Sequence, residues 1–191
     1  MKIYVLVSFI IINFSFIIQA EELPHKVDLN ANWEEWTEAP RSGKPTGWVV
    51  NSKFPSGEYN MVPVEGGLGV EIHALGADGL DFHLYNRNTY VKTQPNEVIR
   101  VEVVARGEGT LSVQGYCYAE DEDSLGGTRG VIESNVMLDP EKFQTLVFLI
   151  TTPEARARRL PPASMRIALV LSPESAVTIR SVTATTSYAQ D

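Results

Sequence analysis

Two stretches decide the fold: Leu80-Asp81-Phe82-His83-Leu84-Tyr85 and Leu111-Ser112-Val113-Gln114-Gly115-Tyr116-Cys117-Tyr118. In the first, Leu80, Phe82 and Leu84 alternate with Asp81, His83 and Tyr85. In the second, Leu111, Val113 and Cys117 alternate with Ser112, Gln114, Tyr116 and Tyr118. Successive strand side chains point to opposite faces, so each stretch reads as a half-buried β-strand. One face is apolar, and the other carries rings and hydrogen-bonding groups. Placed in one sheet, the two polar rows would make a single platform.

The same alternation extends outward. Leu68–Ala74 puts Val70 and Ile72 inside and Glu71 and His73 outside, and Val98–Ala105 puts Ile99, Val101 and Val103 on one side. Gly107-Glu108-Gly109 is a tight-turn signal, so Val98–Ala105 and Thr110–Tyr118 are expected to pair as a hairpin. Gly47–Asn51, Leu146–Thr151, Met165–Leu171 and Ala176–Thr183 are further strands, and Val131–Leu138 is a candidate. Residues 21–45 are polar and irregular, and Lys53–Gly67, Ala119–Gly130 and Thr152–Ala163 read as long loops. The tail from Thr185 is expected to fray. Helical periodicity is nearly absent, and Glu154–Leu160 is bracketed by Pro153, Pro161 and Pro162. About eight to ten short strands separated by Gly, Pro and Asp turns predict an all-β fold, a two-sheet antiparallel β-sandwich or jelly roll.

Residues 1–20 stand apart. Lys2 precedes an almost wholly apolar run, Val5–Ile18, and Gln19-Ala20 precedes Glu21-Glu22. This is the pattern of a secretory signal peptide cleaved after Ala20. The run is shorter than the roughly 20 apolar residues of a membrane span. The expected mature chain, 21–191, is a single domain, secreted or periplasmic, with no membrane span after cleavage. The formal charge of −8 becomes −9 once Lys2 is removed, which argues against nucleic-acid partners. Cys117 is the only cysteine, so no intrachain disulfide forms. Its place on the apolar side of a strand reads as core.

Asn32-Trp33-Glu34 followed by Gly47-Trp48 resembles the opening of the CenC-type carbohydrate-binding modules, which have the galactose-binding-like jelly-roll fold. Val103-Val104-Ala105-Arg106-Gly107, Phe143-Gln144-Thr145 and Val177-Thr178-Ile179-Arg180-Ser181-Val182 resemble later segments of that family. The resemblance spans roughly residues 28–185, and its loose motifs mark architecture more than activity. It implies a polysaccharide or oligosaccharide ligand. Arg180-Ser181 stands where the family usually has acidic residues that help hold a structural calcium. No cofactor is therefore expected, whatever Glu34 contributes.

A pyranose needs a flat ring to lie on and donors and acceptors around it. Tyr85, Tyr116 and Tyr118 supply rings, and Asp81, His83 and Gln114 supply polar groups. Trp48 is an outlying candidate, with Tyr59 and Trp33 as alternatives in the loops, although Trp33 fits better as a plug at the core edge. The competing reading of this face is an ordinary solvated sheet surface. His73 and His83 fall on outward positions of neighbouring strands but lack a third ligand at useful spacing, so no metal residue is expected. The acidic run Glu120–Asp123 lacks the order of a calcium loop, and Arg156, Arg158 and Arg159 read as a solvated basic loop.

No catalytic residue is expected. Glu71, Asp81 and Glu102 lie on different strands, no Gly-x-Ser-x-Gly elbow occurs, and no pair of carboxylates is placed to flank a cleft. The competing class is a structural or adhesive exported sandwich with a protein partner. The best enzymatic alternative is a polysaccharide lyase using His83 with Tyr85 or Tyr116, ahead of a glycoside hydrolase.

Overall fold

Alternating burial runs through most strands of the computed structural model, which describes residues 24–29, 33, 36–37, 44–45, 47–50, 57–75, 79, 81–87, 89–121, 123–132, 138–155 and 160–187. The strands are β1 His25–Asp28, β2 Trp36–Thr37, β3 Lys44–Pro45, β4 Trp48–Val50, β5 Gly57–Val64, β6 Gly67–Ala74, β7 Phe82–Asn86, β8 Val91–Lys92, β9 Val98–Glu108, β10 Leu111–Tyr118, β11 Ser124–Arg129, β12 Val131–Ile132, β13 Gln144–Thr151, β14 Ser164–Leu171 and β15 Ala176–Thr186. No helix occurs among the described residues. The first sheet has the order β12-β13-β9-β15-β6-β5, with β1 also on β15. The second has the order β11-β10-β14-β7-β4, with β8 also on β14. Every pairing is antiparallel. The fold is a two-sheet jelly-roll sandwich, as the alternation predicts.

The core lies between the sheets. Ile72, Ile99, Val101, Val103, Phe148 and Ile150 line it from the first sheet, and Phe82, Leu84, Val113, Met165, Ile167 and Leu169 from the second. Strand β15 keeps both Ile179 and Val182 inside although they are three residues apart. A bulge between Ile179 and Ser181 absorbs the extra residue.

Several expectations are corrected. Strands β9 and β10 do not form a hairpin; they belong to different sheets. Both edges of β9 are already occupied, by β13 and β15, so the chain crosses to the other layer. Gly107 serves this crossing: its φ is +142°, and a Cβ there would overlap the Ala176 carbonyl oxygen. Much of the expected loop Lys53–Gly67 is β5, which pairs with β6. Much of the expected loop Ala119–Gly130 is β11, which pairs with β10. The irregular segment 21–45 contains β1, and Thr185 and Thr186 are strand rather than frayed tail. Residues 1–20 and Arg156, Arg158 and Arg159 lie outside the described residues.

The end of β15 is held by Glu97, a buried carboxylate in the connection from β8 to β9. Glu97 Oε2 accepts from Thr93 Oγ1 at 2.8 Å and from the Gln94 amide at 3.1 Å. Oε1 accepts from Thr186 Oγ1, from the Ser187 amide at 2.9 Å and from Ser187 Oγ at 3.0 Å. Burial alone would push this carboxyl up; the bonds from Thr186, Thr93, Gln94 and Ser187 outweigh it and hold the pKa below the ordinary 4.5. The bonds cross from the end of the first sheet to the segment leaving the second. Glu97→Gln turns an NH2 donor toward groups that themselves donate and should cost about 3 kcal/mol in urea unfolding at neutral pH. A lowered folded pKa stabilises above the ordinary value and is lost as pH falls below it. The parent protein should therefore lose stability below pH 4.5 more steeply than the variant.

Candidate functional site

Strands β10 and β7 do share a sheet, with β14 between them. Gln114 is in register with Ala168 of β14, which is in register with Tyr85 of β7. Tyr116 stands opposite Arg166, Tyr118 opposite Ser164, and His83 opposite Val170. Side chains in register share a face, so Tyr85, His83, Gln114, Tyr116 and Tyr118 all lie on the outer face of this sheet. The three tyrosines are half-buried. Strand β11 extends the sheet beside β10 rather than covering it.

The middle of the face is closed over by its neighbours. Ala168 has no exposed surface, Val170 is 3% exposed and His83 is 7% exposed, although all three point outward. Taller groups surround them. The Tyr116 hydroxyl lies 3.4 Å from His83 Nδ1, with the donor set by the tautomer, and 3.3 Å from Gln114 Oε1, to which it donates. On β11, Gly127 faces Tyr116. A Cβ there would collide with the Gln114 amide and come within 3.2 Å of the Tyr116 ring, so the glycine leaves room for both side chains.

Arg166 sits on this face between buried Met165 and Ile167. Its guanidinium carbon lies 4.3 Å from the centroid of Tyr90 and 5.0 Å from that of Tyr118. The two rings meet edge-on at 5.9 Å. Stacking of this kind is a cation–π contact. Burial lowers the Arg166 pKa, the Tyr85 hydroxyl opposes that shift, and neighbouring Arg87 adds to it. Burial likewise raises the Tyr118 pKa. Neither Arg166 nor Tyr90 emerged from sequence reasoning. The available signal was Arg166 itself, a lone cation in the apolar run Met165–Leu171.

Asp81, just before β7, meets Arg129 at the end of β11 at 3.8 Å. The two strands are three spacings apart, about 14 Å, so the pair reaches across the sheet past His83. It is exposed and adds little stability.

Trp48 does not belong to this surface. It is fully buried, its Nε1 donates to the Leu29 carbonyl at 3.2 Å, and its ring lies 5.4 Å from that of Trp33. The first position of β4 faces the core, which removes Trp48 as a ligand contact. Trp33 is also core, and Tyr59 packs against the core from β5. His73 and His83 are not on neighbouring strands. They lie in opposite sheets, and His73 pairs with Glu71 at 3.3 Å. Glu71 and Glu102 are in the first sheet, away from Asp81, so these carboxylates share no cleft. Cys117 is buried and its thiol is pushed up to about 11 by desolvation. Arg180 leans over Phe143 at 5.2 Å, beside Arg106 at 4.9 Å. Glu34 and Glu122 lie outside the described residues.

Two solved structures place this architecture among known ones. The CBM22-1 xylan-binding domain of Xyn10C from Paenibacillus barcinonensis matches with a TM-score of 0.53 at 12% identity, over 84% of this chain and 94% of that chain. The fold is that of a carbohydrate-binding-module jelly roll. The Stig cyclase Fisc from Fischerella sp. TAU, in complex with (3Z)-3-(1-methyl-2-pyrrolidinylidene)-3H-indole, matches with a TM-score of 0.51 at 15% identity, over 87% of this chain and all (100%) of that chain. The same scaffold thus carries a binding domain in one protein and a cyclase in another, and the likeness is one of fold alone. No protein-family model matches the sequence, and no curated protein matches it.

His83 supplies a test of this geometry. Burial lowers its pKa below the ordinary 6.5, against an opposing pull from Asp81 and with a small contribution from Arg129. The unfolded chain then takes up the proton first, so this group's stability is complete above pH 6.5 and falls as pH drops toward the lower folded value. Melting temperatures across that range should decline less in His83→Gln than in the parent.

Proposed function

We propose that the protein is an exported, non-catalytic polysaccharide-binding module whose ligand lies across the outer face of the second sheet. The supporting observation is the grouping of Tyr85, Tyr116 and Tyr118 with Gln114 and His83 on one outer face, around Ala168 and Val170. A sugar ring presents an apolar C–H face to a tyrosine and its hydroxyls to the amide and imidazole. Asp81, tied to Arg129, bounds one end. Rigid sheet positions lose little entropy on binding. The fold shared with a xylan-binding domain supports a glycan as the class of ligand, and the CenC-type motifs agree with it. The apolar run Val5–Ile18 followed by Gln19-Ala20 supports export with cleavage after Ala20. N-terminal sequencing of the protein recovered outside the cytoplasm checks that part.

Calorimetry against a panel of soluble polysaccharides tests the binding site. Tyr116→Ala and Tyr118→Ala should each weaken binding by about 1–3 kcal/mol while the protein still folds. Unchanged affinity in both moves the ligand elsewhere. Absence of binding across the panel favours the structural or adhesive alternative.

A second reading rests on one contact. The Tyr116 hydroxyl and His83 Nδ1 are 3.4 Å apart, the pair of groups a polysaccharide lyase would use for proton transfer. Ultraviolet detection of unsaturated products from uronate polymers distinguishes it: their formation supports a lyase, and intact polymer supports pure binding.

A further inference from the structure

We propose that the ligand of this face is an anionic polysaccharide, with its acid groups gripped by Arg166 and Arg87. This rests on the glycan-binding reading above and names its substrate class. The charge of the face opposes that of the molecule. The chain carries a formal charge of −8, yet the charged residues described on this face are mostly cationic. Arg87 follows Tyr85 by two positions in the outward row of β7 and is exposed. Lys92 of β8 stands opposite Ser164 and so shares the face with Arg166. Arg129 lies at its edge. Among the described residues the one carboxylate in this surface is Asp81, which is tied to Arg129, so Arg166 and Arg87 carry the surplus. Glu120, Asp121 and Asp123 belong to the turn beyond Tyr118.

Arg166 is the centre of this surplus. Its Nε is buried and has no hydrogen-bond partner among the described residues, and its guanidinium makes no ion pair with them. The guanidinium carbon sits over the rings of Tyr90 and Tyr118, and these contacts leave its Nε–H without an acceptor among the described residues. A guanidinium edge matches a carboxylate or sulfate with two parallel hydrogen bonds. A desolvated cation without a counter-ion is costly, and an acid group arriving with the ligand supplies one. Arg166 and Tyr116 stand side by side in register, a cation beside a ring, which suits a polymer that presents both acid groups and C–H faces.

Binding of the intact protein to polygalacturonate, to its carboxyl-reduced neutral form and to a sulfated galactan tests this by calorimetry at low and high salt. The expected result is affinity about tenfold or more higher for an acidic polymer than for the neutral one, weakening with salt. The stronger of the two acidic polymers identifies carboxylate or sulfate as the acid group. Arg166→Gln should abolish the preference. Arg87→Gln, at an exposed position where folding is not at stake, should reduce it. The overall negative charge works against any non-specific preference of this kind. Equal affinity for neutral and acidic polymers overturns the inference and leaves the glycan-binding reading standing. No binding to any of the three overturns the glycan-binding reading itself.

Discussion

The candidate site depends on β14 being buried on both faces. Ile167, Ala168, Leu169, Val170 and Leu171 are all buried in succession, whereas most strands of the sandwich alternate. The inward residues face the first sheet. The outward ones, Ala168 and Val170, are screened by the side chains around them. A small residue in the centre of a sheet loses its exposure when its neighbours are tall, and Gln114 and Tyr85 flank Ala168 in register. Gly127 leaves room at the edge, where a Cβ would displace Gln114. The shape of the face therefore comes from small side chains placed beside aromatic ones, on strands whose register is fixed by the core.

Electrostatics follow from that shape. The recessed position of His83 desolvates its ring and favours the neutral form, so a histidine beside a carboxylate remains a hydrogen-bonding group near neutral pH. Arg166 lies over the rings of Tyr90 and Tyr118, and its guanidinium stays protonated throughout the neutral range. Among the described residues the one ion pair on the face is Asp81–Arg129, and Arg129 stands in the row of Gln114 and Ala168. The opposite face of the sandwich is organised differently. There Arg106 and Arg180 both lean on Phe143, in the segment where the CenC-type resemblance would place acidic residues.

Local patterns in the sequence were enough to read the sandwich and the polar row of β10. Alternation is a property of neighbouring residues, and the inward sets of β6, β9 and β10 follow from it. What could not be read was which strands neighbour which. The Gly107-Glu108-Gly109 turn looks like a hairpin because nothing local shows that both edges of β9 are filled by β13 and β15. The separation of His73 from His83 has the same origin. Trp48 looked like a surface aromatic because a three-residue strand gives too little alternation to assign its face. Arg166 was missed because its partners, Tyr90 and Tyr118, are distant in sequence and meet it only through the pairing of β14 with β8 and β10.

We propose a spatial assignment, a polysaccharide lying on the face of Tyr85, Tyr116, Tyr118 and Arg166. A crystal structure with a bound oligosaccharide tests it most directly. The account requires sugar rings packed on these tyrosines, with an acid group at the edge of the Arg166 guanidinium. An oligosaccharide seated on the Phe143 side of the sandwich, or held only by loops at the strand ends, contradicts it.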